Sequence, residues 1–205
     1  MHMFFRQIKH RGDNFSYIIA DDIAKEAAVV DPSFNTDAIT KILKEQNLQL
    51  KLIINTHGHA DHTAGNQELQ KSFNAKIAAH RQSKINKQIS VEDGDTLKIG
   101  EITIKVIHTP GHTPDSICLL VNDKLLTGDT LFVGECGRTD LLDGNPKDMY
   151  NSLFNKLLKL DDGIEVYPGH DYGESSHSTI GKERRTNYTL EKRTLEEFIE
   201  FMKQP

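Results

Sequence analysis

The chain has no tryptophan, only two cysteines among its 205 residues, and aromatic side chains amount to just 7%. Two cysteines cannot build the disulfide framework of a small secreted scaffold, so a chain of this length has to rely on an apolar core. Six prolines and 14 glycines are too few and too scattered for a collagenous or low-complexity segment, and no internal repeat is present. Nothing approaches the roughly 18 consecutive apolar residues of a membrane-spanning helix. The opening Met1-His2-Met3-Phe4-Phe5-Arg6-Gln7 turns polar too early for a signal peptide. Positive charge is short as well: 25 basic against 30 acidic side chains leave a net charge of −5, no electrostatic footprint for nucleic acid. The expectation is one domain over residues 1–205, cytoplasmic, with neither nucleic acid nor membrane as partner. A homo-oligomer is compatible with this composition.

What the chain does have is histidine, ten in all, and three of them crowd into Thr56-His57-Gly58-His59-Ala60-Asp61-His62. Imidazole is the commonest side-chain metal ligand and Asp adds a hard anionic oxygen, so this run reads as a metal site. It directly follows Leu50-Lys51-Leu52-Ile53-Ile54-Asn55, an apolar run with a β-branched centre that predicts a buried strand. In layered α/β architectures ligands gather in loops beyond the carboxyl ends of strands, which is where the run lies.

The rest of the pattern alternates strands and helices. Phe15–Asp21 and Glu26–Asp31 predict a hairpin, and Ala38, Ile39, Ile42 and Leu43 a helix capped at Asn35 or Thr36 and ended by Asn47. Helices are expected over Thr63–Phe73 and Arg81–Lys87, with a short strand at Lys76–Ala79 between them. Strands follow at Thr96–Ile99, Glu101–His108, Ser116–Val121 and Lys124–Thr127, then a helix over Lys147–Leu160, a strand at Ile164–Tyr167, and helices at Ile180–Thr186 and Leu195–Met202. Two groups of strands with helices around them predict a four-layer αββα sandwich, two sheets face to face.

Three more strand ends each deliver a ligand-type residue in a turn: His112 in His108-Thr109-Pro110-Gly111-His112, Asp129 in Thr127-Gly128-Asp129-Thr130, and His170 in Pro168-Gly169-His170-Asp171. A lone His or Gly-Asp would be unremarkable; their repetition at strand ends is not. One metal can take His57, His59 and His112 and a second Asp61, His62 and His170, with Asp129 bridging through its two oxygens. Two dications, two carboxylates and a bridging hydroxide leave about one positive charge, suited to a carbonyl or an anion. A coordinated water has its pKa lowered to about 7, so hydroxide is at hand near neutral pH. Asp61 and Asp129 are the candidate catalytic carboxylates, Asp61 by orienting the attacking water.

Through His57-x-His59-x-Asp61-His62, His112, Asp129 and His170 the chain resembles the metallo-β-lactamase-fold superfamily over nearly its whole length. The resemblance implies the αββα sandwich and a one- or two-metal site along the edge between the sheets. Gly128-Asp129-Thr130-Leu131-Phe132, Cys136-Gly137-Arg138 and Tyr167-Pro168-Gly169-His170-Asp171-Tyr172 look most like its branch of glyoxalase II (hydroxyacylglutathione hydrolase) and persulfide dioxygenase. The hydrolase reading takes two divalent ions, Zn2+ first, and a small-molecule thioester, ester or lactone, with β-lactam cleavage as a minor activity. About 35 residues follow His170, room for about two helices of roughly 12 residues each. That is short of the carboxy-terminal helical region with which glyoxalase II holds glutathione. The alternative reading takes one Fe2+ on His57, His112 and Asp129, a facial triad for oxidising a persulfide. It is supported by the resemblance of Cys136-Gly137-Arg138-Thr139-Asp140, Ser178-Thr179-Ile180-Gly181 and Glu183-Arg184-Arg185 to persulfide dioxygenases. The hydrolase is placed first. A non-catalytic metal-binding module is the third reading, disfavoured because structural zinc sites close with four ligands and favour Cys.

Arg138 is a candidate for holding a substrate carboxylate or a partner for Asp140, and Tyr172 a candidate for hydrogen-bonding substrate. Cys118 reads as a buried strand residue and Cys136 as a loop thiol, packed or redox-active. His10, His80, His108 and His177 lack the ligand pattern, and Lys182-Glu183-Arg184-Arg185 reads as a solvated helix face.

Overall fold

A computed structural model describes residues 2–203. Two mixed six-stranded sheets stack face to face, and in each the spatial order follows the chain. The first holds β1 (Met3–Lys9), β2 (Phe15–Asp21), β3 (Glu26–Val30), β4 (Gln49–Ile54), β5 (Lys76–His80) and β6 (Ile89–Val91), antiparallel up to β3 and parallel from β3 to β6. The second holds β7 (Thr96–Ile99), β8 (Ile102–His108), β9 (Ile117–Val121), β10 (Lys124–Gly128), β11 (Glu165–Pro168) and β12 (Ser178–Thr179), where only β10 and β11 run parallel.

Period-2 alternation divides the apolar residues between layers. On β8, Ile102, Ile104 and Val106 point inward and meet Ile19, Val30 and Ile54 of the first sheet in the central core. The opposite face of the first sheet, with Ile18, Val29 and Ile53, is covered by α1 (Asp37–Glu45) through Ile39 and Leu43 and by α3 (Asn66–Phe73) through Leu69. The outer face of the second sheet, with Cys118, Leu125 and Val166, is covered by α4 (Pro146–Tyr150), α5 (Ile180–Thr186) and α6 (Leu195–Phe201). This is the αββα sandwich the strand pattern predicts.

Several boundaries differ from expectation, each for a local reason. The helix expected over Thr63–Phe73 is two: α2 (Ala60–Thr63) and then α3, separated at Gly65, where an added Cβ would stand 2.7 Å from Thr36 Cγ2 and 2.8 Å from the Ser33 carbonyl. Residues Arg81–Lys87 form turns rather than a helix, because Ile85 is their one apolar side chain and the segment loops back so that Gln88 N–H reaches the Ile77 carbonyl at 2.9 Å. The helix expected from Lys147 starts at Pro146, capped by the Asn145 side chain, and widens into a π-turn over Asn151–Lys156 before a tight 3-10 turn at Leu157–Lys159. The three strands not foreseen, β1, β6 and β12, lie at or next to sheet edges.

The solvated face expected at Lys182–Arg185 is interrupted: Glu183 is fully buried and accepts the Gly134 N–H at 2.9 Å and the Asn187 amide at 2.8 Å. Burial without those donors would be costly, so Glu183 ties α5 to the loop after β10. On α6, Phe198 is fully buried with ring centroids 5.6 Å from Tyr150 and 5.7 Å from Phe154. Phe198→Ala should cost about 3–5 kcal/mol in urea-unfolding free energy, with the metal site retained in the folded fraction.

Candidate metal centre

Every candidate ligand lies just beyond the carboxyl end of a strand, and the two sheets are stitched together there. Ile117 N–H donates to the Thr56 carbonyl at 2.8 Å, Phe15 N–H to the Gly169 carbonyl at 2.8 Å, and Asp171 N–H to the Asp13 carbonyl at 2.7 Å. Gly128, with φ +50°, lets the end of β10 approach Thr56, whose Oγ1 would lie 2.5 Å from an added Cβ. Gly169 does the same beside the carboxylate it faces: a Cβ there would stand 2.4 Å from Asp129 Oδ1.

The chain leaves β4, bends at Thr56 and His57, is extended at His59, and then turns into the single helical turn α2 that carries Asp61 and His62. His57 and His59 therefore face one point and Asp61 and His62 another. His59 Nδ1 lies 3.0 Å from His57 Nε2 and 3.1 Å from His112 Nε2. His62 Nε2 lies 3.1 Å from His170 Nε2, and Asp61 Oδ2 lies 3.5 Å and 3.4 Å from those two nitrogens. Asp129 stands between the groups, with Oδ2 at 3.4 Å from His112 Nε2 and 3.3 Å from His170 Nε2, and Oδ1 at 3.3 Å from His62 Nε2. Each group, His57–His59–His112–Asp129 and Asp61–His62–His170, has its ligand atoms within 4.8 Å of one another.

The far sides of four of the rings are held by groups to which the sequence pattern gave no such role. Thr56 Oγ1 donates its proton to Asp31 Oδ2 at 2.6 Å, which leaves its lone pair to accept from His57 Nδ1 at 3.2 Å. The same Asp31 oxygen accepts from His62 Nδ1 at 3.1 Å, so one buried carboxylate orients a histidine of each group. Asp13 accepts from His170 Nδ1 at 3.2 Å, and the Arg138 carbonyl from His112 Nδ1 at 2.9 Å. With Nδ1 engaged, each of these four rings aims its Nε2 inward, the arrangement that fixes the ligating tautomer in metal sites. The only local signal for Asp31 was its place between a strand and Pro32.

Lone pairs facing one another at about 3 Å repel unless positive charge lies between them. Asp129 Oδ1 is buried with no hydrogen-bond partner. The donor set and this orphaned oxygen fit two divalent cations. In the protein alone, protons take that role unevenly. Burial pushes His57 well below the usual imidazole range, with the charge of His62 adding to the effect, and burial lowers His112 despite nearby Asp129. Burial also opposes charge on His62 and His170, but Asp129, with Asp31 at His62 and Asp13 at His170, outweighs it and raises both. Asp129 is buried, yet the charges of His62 and His57 hold it well below the carboxylate range. Asp61 is half-buried and stays ionised beside His62 and the Asn14 amide, which donates to it at 3.0 Å.

The sequence model of the metallo-β-lactamase superfamily matches residues 11–84 and 81–170. The chain belongs to the metallo-β-lactamase superfamily. It is 34% identical over 194 residues to the human mitochondrial persulfide dioxygenase ETHE1, covering 92% of this chain and 75% of that one. It is equally 34% identical, over 92% of its length and 86% of the relative's, to a probable polyketide biosynthesis zinc-dependent hydrolase, BaeB, of Bacillus velezensis. The crystal structure of ETHE1 from Myxococcus xanthus superposes with a TM-score of 0.94 at 34% identity, covering 98% of this chain and 91% of that one. The chain is thus a metalloenzyme of this superfamily, in its ETHE1 and glyoxalase II-like branch.

Around the centre, Arg138 forks onto Asp140 with two contacts of 2.6 Å, so its guanidinium is already paired while its carbonyl serves His112. Tyr172 stacks flat on His170, centroids 4.9 Å apart at 4°, and half its surface remains exposed at the rim. His108 stacks on His80 at 3.9 Å and donates to the Pro114 carbonyl, away from the ligands. His10 meets Ser16 Oγ at 2.6 Å, and His177 stacks on Tyr167 at 5.3 Å. Burial pushes the Cys136 thiol up to about 11 and that of Cys118 to about 12, so neither is a thiolate near neutrality.

Two outcomes are expected in metal-binding measurements by chelator competition. Asp31→Asn, which removes a shared acceptor, should weaken binding about 10–100-fold with the fold intact by circular dichroism. Because His62 and His170 hold protons more tightly than usual, a cation entering their group must displace them. Affinity for that ion should therefore fall as pH drops, and more steeply than for the ion at His57, His59 and His112.

Proposed function

We propose that the protein is a binuclear metal-dependent hydrolase acting on a small thioester, ester or lactone, with zinc in both positions. The observation that carries this reading is the completeness of the second group. Asp61, His62 and His170 converge as closely as the first group, and a carboxylate stands behind each of its histidines, Asp31 at His62 and Asp13 at His170. Two divalent cations bound there would supply Lewis acidity and a water with its pKa lowered to about 7.

The residues of the chain do the rest. Asp61 is the most accessible carboxylate of the centre, with 32% of its side chain exposed against 8% for Asp129. As an ionised acceptor fixed by Asn14, it orients an attacking water by hydrogen bond and cannot act as an acid. Asp129 is spent between the groups and holds them in register. Tyr172 stands half-exposed at the rim, and burial has pushed its hydroxyl up to about 12, so it keeps its proton near neutrality and can donate it in a hydrogen bond. A cavity of about 230 Å3 lined by Phe132, Arg138 and Tyr172 opens on the His112 and Asp129 side, room for a small acyl or thiol arm.

A second reading, a persulfide dioxygenase with one iron on His57, His112 and Asp129, is favoured by the likeness to ETHE1 over nearly the full length of both chains. Metal analysis of protein purified without added metal separates the two, combined with thioester cleavage of S-lactoylglutathione and oxygen uptake on glutathione persulfide. Two zinc ions per chain, thioester cleavage and no oxygen uptake are expected; one iron with rapid uptake would overturn the hydrolase. His59→Ala and Asp61→Ala should each abolish thioester cleavage, whereas a mononuclear enzyme would keep much of its activity.

A further inference from the structure

On the other side of the centre, His59 also lines a second cavity, of about 470 Å3, whose walls include Ile85, Pro114, Leu142 and Asp115. Asp115 is only 8% exposed, and its carboxylate makes no hydrogen bond or ion pair among the described residues. Ser83 Oγ, close by, is buried and also lacks a partner. The two oxygens converge over Gly58: a Cβ built there would stand 3.2 Å from Asp115 Oδ2 and 3.4 Å from Ser83 Oγ. Gly58 is the residue between His57 and His59, so the pair sits directly beside the first ligand group. Lys84, also on the cavity wall, pairs with Asp143 at 3.6 Å rather than with Asp115.

A carboxylate on a cavity wall with no donor from the protein is free to pair with a cationic group that enters the cavity. We propose that this cavity is a specificity subsite for a substrate arm that carries a primary ammonium group. The Asp115 carboxylate accepts hydrogen bonds from the ammonium, while Ile85, Pro114 and the exposed Leu142 pack on the methylenes. Leu142 is 90% exposed, and an apolar arm lying in the cavity would cover it. His59 sets the distance, because it belongs to the metal group and to the cavity wall at once. Neutral amides would satisfy the oxygens less well, since only a cation also neutralises the carboxylate.

The proposal rests on the hydrolase reading, and the test separates the two. Zinc-loaded enzyme is assayed on N-acetylcysteamine thioesters of aminovaleric and hexanoic acid, which differ only in a terminal ammonium or methyl. It is assayed also on hexanoyl thioesters of aminobutanethiol and pentanethiol, which place the ammonium on the departing arm. In one series kcat/KM should favour the ammonium substrate by about tenfold or more, and Asp115→Asn should remove that preference. Equal kcat/KM within both series, or a preference that survives Asp115→Asn, overturns the proposal. Binding is read separately from the Ile85 methyl resonances on titration with butylammonium and with pentanol. A shift with the amine alone, lost in Asp115→Asn, is expected; equal shifts or none would sink the subsite. If no thioester is cleaved but the amine binds, the hydrolase reading fails and the subsite stands.

Discussion

The structure turns on a buried region that is stable only with positive charge at its centre. Five imidazole rings and two carboxylates point their ligating atoms inward from seven positions, an arrangement that repels itself unless protons or cations intervene. The far edges of four of the rings are fixed, because Asp31, Asp13, Thr56 and the Arg138 carbonyl hold them. Preorganisation of this kind places the cost of assembling the site in the fold, so an incoming ion finds its ligands already oriented. Asp31 has the widest reach, since through one oxygen it acts on a histidine of each group.

The sandwich makes such a centre possible by bringing loops of both sheets to one edge. Parallel pairing of β3 with β4 and of β10 with β11 puts Asp31, His57, Asp129 and His170 at the same end of their strands. Glycines at 128 and 169 remove the side chains that would keep the two sides apart. Inter-sheet hydrogen bonds from Phe15 and Ile117 then fix the spacing. Sites at strand ends of this sort vary by changing loops on an unchanged core, in keeping with similar chains whose names describe a dioxygenase and a hydrolase.

Much of this was legible in the sequence because ligand chemistry and strand periodicity are local. The His57–His62 run and the three later turns announced their residues by type and spacing, and the alternation on β8 announced the two-sheet core. Asp31 and Asp13 were not legible, since an Asp next to a proline or a glycine reads as a turn until tertiary pairing sets it against an imidazole. Glu183 was misread for a related reason: amid Lys182, Arg184 and Arg185 its burial depends on the Gly134 loop, which lies 49 residues away in the chain. The edge strands β1, β6 and β12 have weak patterns because only part of each is covered, and the segment Arg81–Lys87 carries too few apolar residues to specify a helix or to rule one out.

The ligands span the chain from His57 to His170, and the carboxylates behind them extend that span back to Asp13. No short stretch of the protein contains a complete metal group, and the second is incomplete until β11 has docked beside β10. Contacts so distant along the chain form late, after the slow search that closes the loops between them. During synthesis the His57–His62 run leaves the ribosome more than a hundred residues ahead of His170, so a nascent chain can offer only a partial chelate. Loading of the full centre is therefore a consequence of finished folding, and its metal content would report on how much of the protein has reached the native state.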